Sequence, residues 1–225
     1  MQIADFRLQI VAVFAFATLT VAQESPPVSP SPSASAASAR NVRISFLPPP
    51  LEGTISLGVY DQSGQLVRVL HQEAELDEFT VGADALMTKW DGKNDDGDDL
   101  PAGKYHARGY LVGHLKVEDL GKAASPPDAA ATIQVKLMPN PLAKDAKGIV
   151  DLAVGFDDEN SYLKTTDGLP LFTIAQTPNV VRASLAKSGE KSIDVFQGDG
   201  AAVEQFRIAN IDKMIAFDCG AFDLE

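Results

Sequence analysis

The residues of this 225-residue chain that are best suited to binding or catalysis form an acidic run that follows its only Trp. Carboxylate and amide oxygens are the hard ligands that Ca²⁺ prefers, so the run is a candidate calcium site. Aligning Gly97 with the glycine of an EF-hand loop places Gly92 and Gly103 where Asp and Glu are required, so that template fails. We therefore interpret the run as a solvated loop whose side chains bond nearby backbone amides. Calcium binding is the alternative, and its candidate ligands are Asp91, Asn94, Asp96 and Asp98.

The sequence lacks several other short motifs that are typical of catalysis or metal binding. The three histidines, His71, His106 and His114, form neither an HxH nor an HExxH pattern, so we expect no zinc site. The sequence contains no Gly-x-Ser-x-Gly elbow and no phosphate-binding glycine loop. Cys219 is the only cysteine, which rules out an internal disulfide, and we interpret it as a small buried hydrophobe. These observations predict a protein that is not an enzyme and has no cofactor.

The residues on either side of the acidic run predict two antiparallel strands joined by a long hairpin loop. The Trp is expected to anchor the first strand in a core. Asp-Gly begins the turn, and Pro-Ala-Gly redirects the chain into the second strand. The residues to which we assign these structural roles are Trp90, Gly92, Gly97, Pro101, Gly103 and Tyr105.

Residues 41–118 contain several short runs in which apolar and polar residues alternate, as in strands with one buried face. In residues 54–60, we expect Ile55, Leu57 and Val59 to face the core while the residues between them face the other side. Turn signals such as DQSG separate these runs at short intervals. This pattern predicts a small β-sandwich.

Two strings in this region, SLGVYDQSGQLVRVL and KWDGKNDDGDDLPAGKYHARGY, resemble the FlgD-type Ig-like domain, a family named for the flagellar hook-capping protein. The resemblance covers residues 41–118. It implies an Ig-like β-sandwich that acts as a non-catalytic spacer, adhesion module or assembly module. A hook-capping-like assembly factor is a minor alternative, because the chain begins like an exported protein and lacks the polar hook-assembly region of that family.

The two ends of the chain differ in composition from its middle. Residues 1–22 have the basic start, apolar run and small residues of a secretory signal peptide, with cleavage expected before Gln23. Residues 23–40 are rich in Ser, Pro and Ala and predict a disordered linker, and residues 119–130 predict a second linker. We therefore expect a secreted, periplasmic or cell-surface protein that does not insert into the membrane after cleavage.

Residues 131–225 again predict short strands separated by turns. The string SYLKTTDGLPLFTI resembles a strand pair from a blade of an exported bacterial β-propeller. A propeller needs four to eight blades, so this region is either a set of incomplete propeller blades or a second β-sheet domain. The predicted class for the whole chain is all-β.

The net charge of −12 limits the classes of partner. Nucleic acid recognition needs Lys and Arg to neutralise phosphates, and an anionic membrane surface attracts basic segments, so we expect neither. We predict an exported structural or interaction protein that meets a protein or cell-envelope partner. The alternative is a carbohydrate- or calcium-binding accessory module of secreted machinery.

Overall fold

Short alternating runs form strands over most of the computed structural model, which describes residues 40–126, 128–143 and 148–225. The predicted all-β class is confirmed. The predictions for residues 1–22 and for residues 23–39 lie outside the described residues. The strands are β1 (Val42–Phe46), β2 (Gly53–Tyr60), β3 (Leu66–Ala74), β4 (Thr80–Val81), β5 (Leu86–Trp90), β6 (Gly103–Gly113), β7 (Lys116–Lys122), β8 (Thr132–Lys136), β9 (Ile149–Phe156), β10 (Asn160–Thr165), β11 (Pro170–Gln176), β12 (Arg182–Lys187), β13 (Ser192–Gly198), β14 (Glu204–Ala209) and β15 (Met214–Leu224). A short 3₁₀ helix, Leu76–Glu78, lies between β3 and β4.

These strands form four antiparallel sheets. The small sheet has the order β1-β5-β4, and the central sheet has the order β15-β6-β2-β3. The meander sheet has the order β11-β10-β9-β8, and the fourth sheet has the order β12-β13-β14-β7. In the meander sheet, strands that are consecutive in sequence are also neighbours in space, as expected when short turns connect antiparallel strands.

The small sheet packs face to face on the central sheet around the only Trp. Trp90 is fully buried, and its ring meets the edge of the Tyr105 ring at a centroid distance of 5.1 Å. On the same core, Phe46 of β1 stacks on Phe217 of β15 at 4.8 Å. Aromatic pairs of this kind add to the stabilisation that comes from their buried area. Side chains from β1, β2, β3, β5, β6 and β15 therefore share one core.

The second face of the central sheet is also covered, which corrects the expected one-sided pattern of β2. Ser56 and Tyr60 have exposed fractions of 0% and 1%. Gly58 is equally enclosed, since a Cβ at this position would lie 2.6 Å from Leu66 Cδ1 and 3.2 Å from Leu169 Cδ1. Leu169 belongs to the β10–β11 turn, so the meander sheet supplies the cover. Alternation alone shows that a strand has two faces but does not show that a distant segment covers the second one.

The central sheet also crosses the predicted boundary between residues 41–118 and residues 131–225. Strand β15, at the end of the chain, pairs with β6 from Val112↔Met214 to Gly103↔Leu224. The chain between β6 and β15 is thus inserted between two neighbouring strands of one sheet. The predicted division is wrong at this point, because an alternating sequence specifies a strand without specifying its partner.

The predicted linker 119–130 is wrong at its start. Residues 116–122 form β7, which pairs with β14, after β6 has ended at Gly113 in the central sheet. Every residue of β7 is exposed, so no alternation between buried and exposed positions could reveal it.

The meander sheet and the fourth sheet share a second core with the covered face of the central sheet. The sequence left open whether this region was a set of incomplete propeller blades or a second β-sheet domain. In the described residues, β8–β11 form the meander sheet, β12–β14 pair with β7 in the fourth sheet, and β15 joins the central sheet, so the region is not a separate sheet domain. Within the same residues, no helix has the length and apolar character needed to cross a bilayer.

Candidate functional site

The acidic loop, residues 91–102, connects β5 to β6. These two strands lie in different sheets, so the predicted hairpin is wrong. Strand β5 pairs with β1 and β4, whereas β6 pairs with β2 and β15. The loop therefore passes from the small sheet to the central sheet over the edge of their shared core. The turn residues in this stretch predicted a reversal of the chain, which occurs, but they carried no information on strand pairing.

Side chains of the acidic loop bond backbone groups of the loop itself. Asp91 Oδ1 accepts a hydrogen bond from the backbone N–H of Lys93 at 3.1 Å, and Asn94 Oδ1 accepts one from the N–H of Asp98 at 2.8 Å. The indole N–H of Trp90 donates to the carbonyl oxygen of Lys93 at 2.8 Å. These bonds are the local type that Asp and Asn form in turns.

One carboxylate of the loop reaches the edge of the central sheet. The backbone N–H of Val69 donates to Asp95 Oδ1 at 3.0 Å and to Oδ2 at 3.2 Å. Arg68 Nη1 donates to the carbonyl oxygen of Asn94 at 2.7 Å and lies 3.7 Å from Asp95. Strand β3 is an edge of its sheet, and an uncovered edge presents unpaired backbone groups. The acidic loop therefore braces and covers this edge.

The calcium candidates do not share a common position in this geometry. Asp91 and Asn94 use an oxygen in turn bonds, while Asp96 and Asp98 are exposed at the loop tip. Asp99 forms an ion pair with Lys93 at 3.4 Å. Over residues 40–126, 128–143 and 148–225, no three acidic, His or Cys side chains converge as a metal site would require.

The residues to which we assigned structural roles differ in how strictly the fold needs them. Gly92 has φ +78°, and a Cβ there would lie 2.9 Å from Leu224 Cδ1. Gly97 also has a left-handed φ, of +86°, which favours glycine. Gly103 has an ordinary φ, and the nearest atom to a Cβ there would be 3.9 Å away. Tyr105 donates its hydroxyl to the carbonyl oxygen of Pro101 at 2.8 Å, which holds the end of the loop against β6.

A polar cluster that the sequence analysis missed lies between the central sheet and the meander sheet. Arg108 Nη2 donates to Asp167 Oδ2 at 2.8 Å, and its guanidinium carbon lies 3.9 Å from the centroid of the Tyr60 ring. The hydroxyl of Thr165 donates to the other carboxylate oxygen of Asp167. The Arg and Asp side chains are 27% and 28% exposed, so water screens this ion pair only in part. The cluster joins β6 to the β10–β11 turn.

The tyrosines of this cluster stay protonated. Burial raises the pKa of Tyr110 to about 12, and the carboxylate of Asp167 adds to this effect. Burial likewise raises the pKa of Tyr60 far above its usual value, and its hydroxyl has no hydrogen-bond partner in the described part of the chain. Tyr60, Arg108 and Tyr110 lie on the same face of the paired strands β2 and β6. The sequence places Arg108 and Tyr110 on one face of a strand, but it does not show that another sheet covers this face.

A cleft opens at the end of the central sheet where β2 begins and β3 ends. Its volume is about 640 Å³, within the usual range of about 300–1,000 Å³ for ligand pockets. The apolar residues that line it come from four different segments, and acidic residues surround them. The lining includes Leu76, Val112, Leu115 and Phe172 together with Glu52, Glu73, Glu75, Asp77 and His114.

Glu73 lines this cleft and has an unusual backbone conformation. Glu73 has φ +48°, a left-handed conformation that is uncommon for a residue other than glycine. Its carboxylate accepts hydrogen bonds from the backbone N–H of Thr173 at 2.7 Å and from the Thr173 hydroxyl at 2.6 Å. Its own N–H donates to Ser56 Oγ at 3.2 Å. Glu73 thus connects β3 to β11 beside the cleft.

Comparisons with protein-family models, with curated proteins and with solved structures found no match for this chain. The resemblance to the FlgD-type Ig-like domain therefore stays a prediction from its sequence strings.

Proposed function

We propose that this chain is a non-catalytic, exported structural or interaction protein that presents a β-sheet module to a protein or cell-envelope partner. The observation that carries the proposal is the set of hydrogen bonds that polar side chains of the acidic loop form with backbone groups. Three polar residues of the loop, Asp91, Asn94 and Asp95, bond backbone amides of the loop and of strand β3. Groups used in this way stabilise a scaffold and are not free to act on a substrate.

Two further observations support the proposal. The polar cluster of Arg108, Asp167 and Tyr60 joins two sheets through an ion pair and a stacked ring, which is a structural arrangement. The sequence strings of residues 56–70 and 89–110 resemble a family whose members are spacer, adhesion and assembly modules. The signal-peptide-like residues 1–22 favour a position in the periplasm, on the cell surface or outside the cell.

The export part of the proposal is tested by producing the full chain in a Gram-negative host and fractionating the cells. We expect the chain in the periplasmic or medium fraction, with an N-terminus that begins at Gln23 when it is read by mass spectrometry. Uncleaved chain in the cytoplasmic or membrane fraction would contradict export.

The alternative of a calcium-binding module draws on Asp96 and Asp98, whose carboxylates are exposed at the loop tip. Extracellular calcium modules bind with dissociation constants of about 0.1–1 mM. At a concentration 10- to 100-fold above the dissociation constant, a ligand adds about 1.4–2.7 kcal/mol to the free energy of unfolding. For a chain of this size that raises Tm by about 3–11 °C. We expect the Tm of residues 23–225 to be equal in EDTA and in about 10 mM Ca²⁺, and a rise of this size would favour the alternative.

A further inference from the structure

The cleft at the end of the central sheet is lined by apolar residues that are partly open to solvent. Leu115 and Phe172 are partly buried and pack against the second core. Leu76, in the 3₁₀ helix, is 42% exposed. Val112 also lines the cleft and is buried. We call this surface the apolar groove, and burying its exposed apolar area against a partner would be favourable.

The charge around the apolar groove has one sign. Glu52, Glu73, Glu75 and Asp77 line it, and the residues that the structure places in its lining include no Lys or Arg. The carboxylate of Glu73 is already used by Thr173. Glu52 and Asp77 form no ion pair within the described ranges, so their charges are free to face a partner. Walls of one charge sign raise the local concentration of ligands of the opposite sign.

We propose that the apolar groove is a docking site for a segment of a partner protein in which Lys or Arg residues flank an apolar side chain. The apolar side chain would lie on Leu115 and Phe172, and the cations would face Glu52 and Asp77. Charge complementarity selects this occupant. A second copy of the chain is disfavoured because each copy carries a net charge of −12.

The inference rests on the proposed function, since it names the chemistry of the partner of an interaction protein. The test uses residues 23–225 labelled with ¹⁵N and a probe peptide, acetyl-Gly-Lys-Leu-Lys-Gly-amide. We expect saturable shifts of the amide signals of Leu76, His114 and Phe172. Two matched peptides, acetyl-Gly-Glu-Leu-Glu-Gly-amide and acetyl-Gly-Lys-Gly-Lys-Gly-amide, should give much weaker shifts because each lacks one half of the recognised pattern.

A pair of double variants separates the site from general charge attraction. Glu52→Gln with Asp77→Asn should weaken binding of the probe by about fivefold or more, since both carboxylates face the cations. Glu118→Gln with Asp119→Asn changes the net charge equally on the exposed strand β7, outside the groove, and should leave binding unchanged. Leu76→Ser should also weaken binding, and its exposed position keeps the fold intact.

Absence of saturable shifts with the Lys-Leu-Lys probe overturns the docking site. Equal binding of the Lys-Gly-Lys peptide, or equal weakening by the β7 double variant, also overturns it in favour of non-specific charge attraction. The export and calcium measurements do not depend on the groove. A negative result here with those two results as expected would therefore overturn the docking site alone and leave the proposed function standing.

Discussion

The ion pair between Arg108 and Asp167 joins the central sheet to the meander sheet, and Asp167→Asn removes its charge. Breaking a fully buried ion pair costs about 3–5 kcal/mol because the remaining charge is left without a partner. Breaking an exposed pair costs about 0–1 kcal/mol. Since both side chains are a little over one quarter exposed, we expect an intermediate loss of about 2 kcal/mol in the free energy of unfolding. For a chain of this length, this corresponds to a Tm lower by about 4–8 °C.

Urea unfolding followed by two probes tests this expectation. Trp90 reports on the core between the small and central sheets, and far-UV circular dichroism reports on all sheets. If the central sheet belongs to both cores, both probes should show the same lowered midpoint. Asp223→Asn is the matched control, because the Lys104–Asp223 pair is 69% and 65% exposed and should contribute little. A stabilising role for the Arg108–Asp167 pair is refuted if Asp167→Asn behaves like the control, and the shared role of the central sheet is refuted if only the circular dichroism transition moves.

Three further substitutions test the contact of the acidic loop with β3, the packing of β2 on β6 and the Asp194 carboxylate. Asp95→Ala should lower the free energy of unfolding, measured with urea, by about 1–2 kcal/mol, because it leaves a backbone N–H of edge strand β3 without its acceptor. The control Asp96→Ala, at the exposed loop tip, should cost less than about 0.5 kcal/mol. Equal losses would contradict the bracing role of Asp95. Gly109→Ala should lower the free energy of unfolding by about 3 kcal/mol or more, since its Cβ would lie 2.4 Å from a backbone oxygen. The control Gly103→Ala should leave Tm unchanged. An unchanged stability of Gly109→Ala would contradict the close packing of β2 and β6. Burial alone would raise the pKa of Asp194, but hydrogen bonds from the neighbouring Arg and Gln side chains outweigh it and lower that pKa. The carboxylate therefore stabilises the fold above its unfolded pKa of about 3.9, and this contribution is lost as the pH falls through the folded value. Asp194→Asn should reduce the acid dependence of the urea midpoint between about pH 6 and pH 2, and an unchanged dependence would contradict the role of this carboxylate.

The strands themselves were largely predictable from the sequence. Alternation in residues 54–60 and the turn at residues 61–64 match β2 and the turn that follows it, in which Gly64 N–H donates to the Asp61 carbonyl oxygen at 3.0 Å. These signals are local, because side-chain period and turn chemistry depend on neighbouring residues. Strand β7 escaped prediction since all of its positions are exposed.

The arrangement of the strands was not predictable, because it depends on contacts between distant residues. Nothing in residues 214–224 indicates that they pair with β6, and the bulge next to Cys219 interrupts their alternation. The cluster around Arg108 and the apolar groove share this property, since each combines residues from segments that are far apart in the chain. The acidic loop was identified as a structural element, yet its contact with the N–H of Val69 required knowledge of which strand forms the edge.

Strand β15 completes the sheet formed by β2, β3 and β6, so residues 41–118 are not a complete module. The ends of β6 and β15 are adjacent, since Gly113 N–H donates to the Lys213 carbonyl oxygen at 2.8 Å. A two-residue Asn-Gly turn can therefore join residues 40–113 directly to residues 213–225.

The most direct measurement compares the amide NMR spectrum of this joined chain with that of residues 41–118 alone. We expect better dispersed signals for the joined chain than for residues 41–118, because it restores the pairing along β6 and the contributions of Phe217 and Leu224 to the first core. Both chains lack the sheets that cover the other face of the central sheet, so the comparison isolates the contribution of β15. A dispersed spectrum for residues 41–118 alone would contradict the claim.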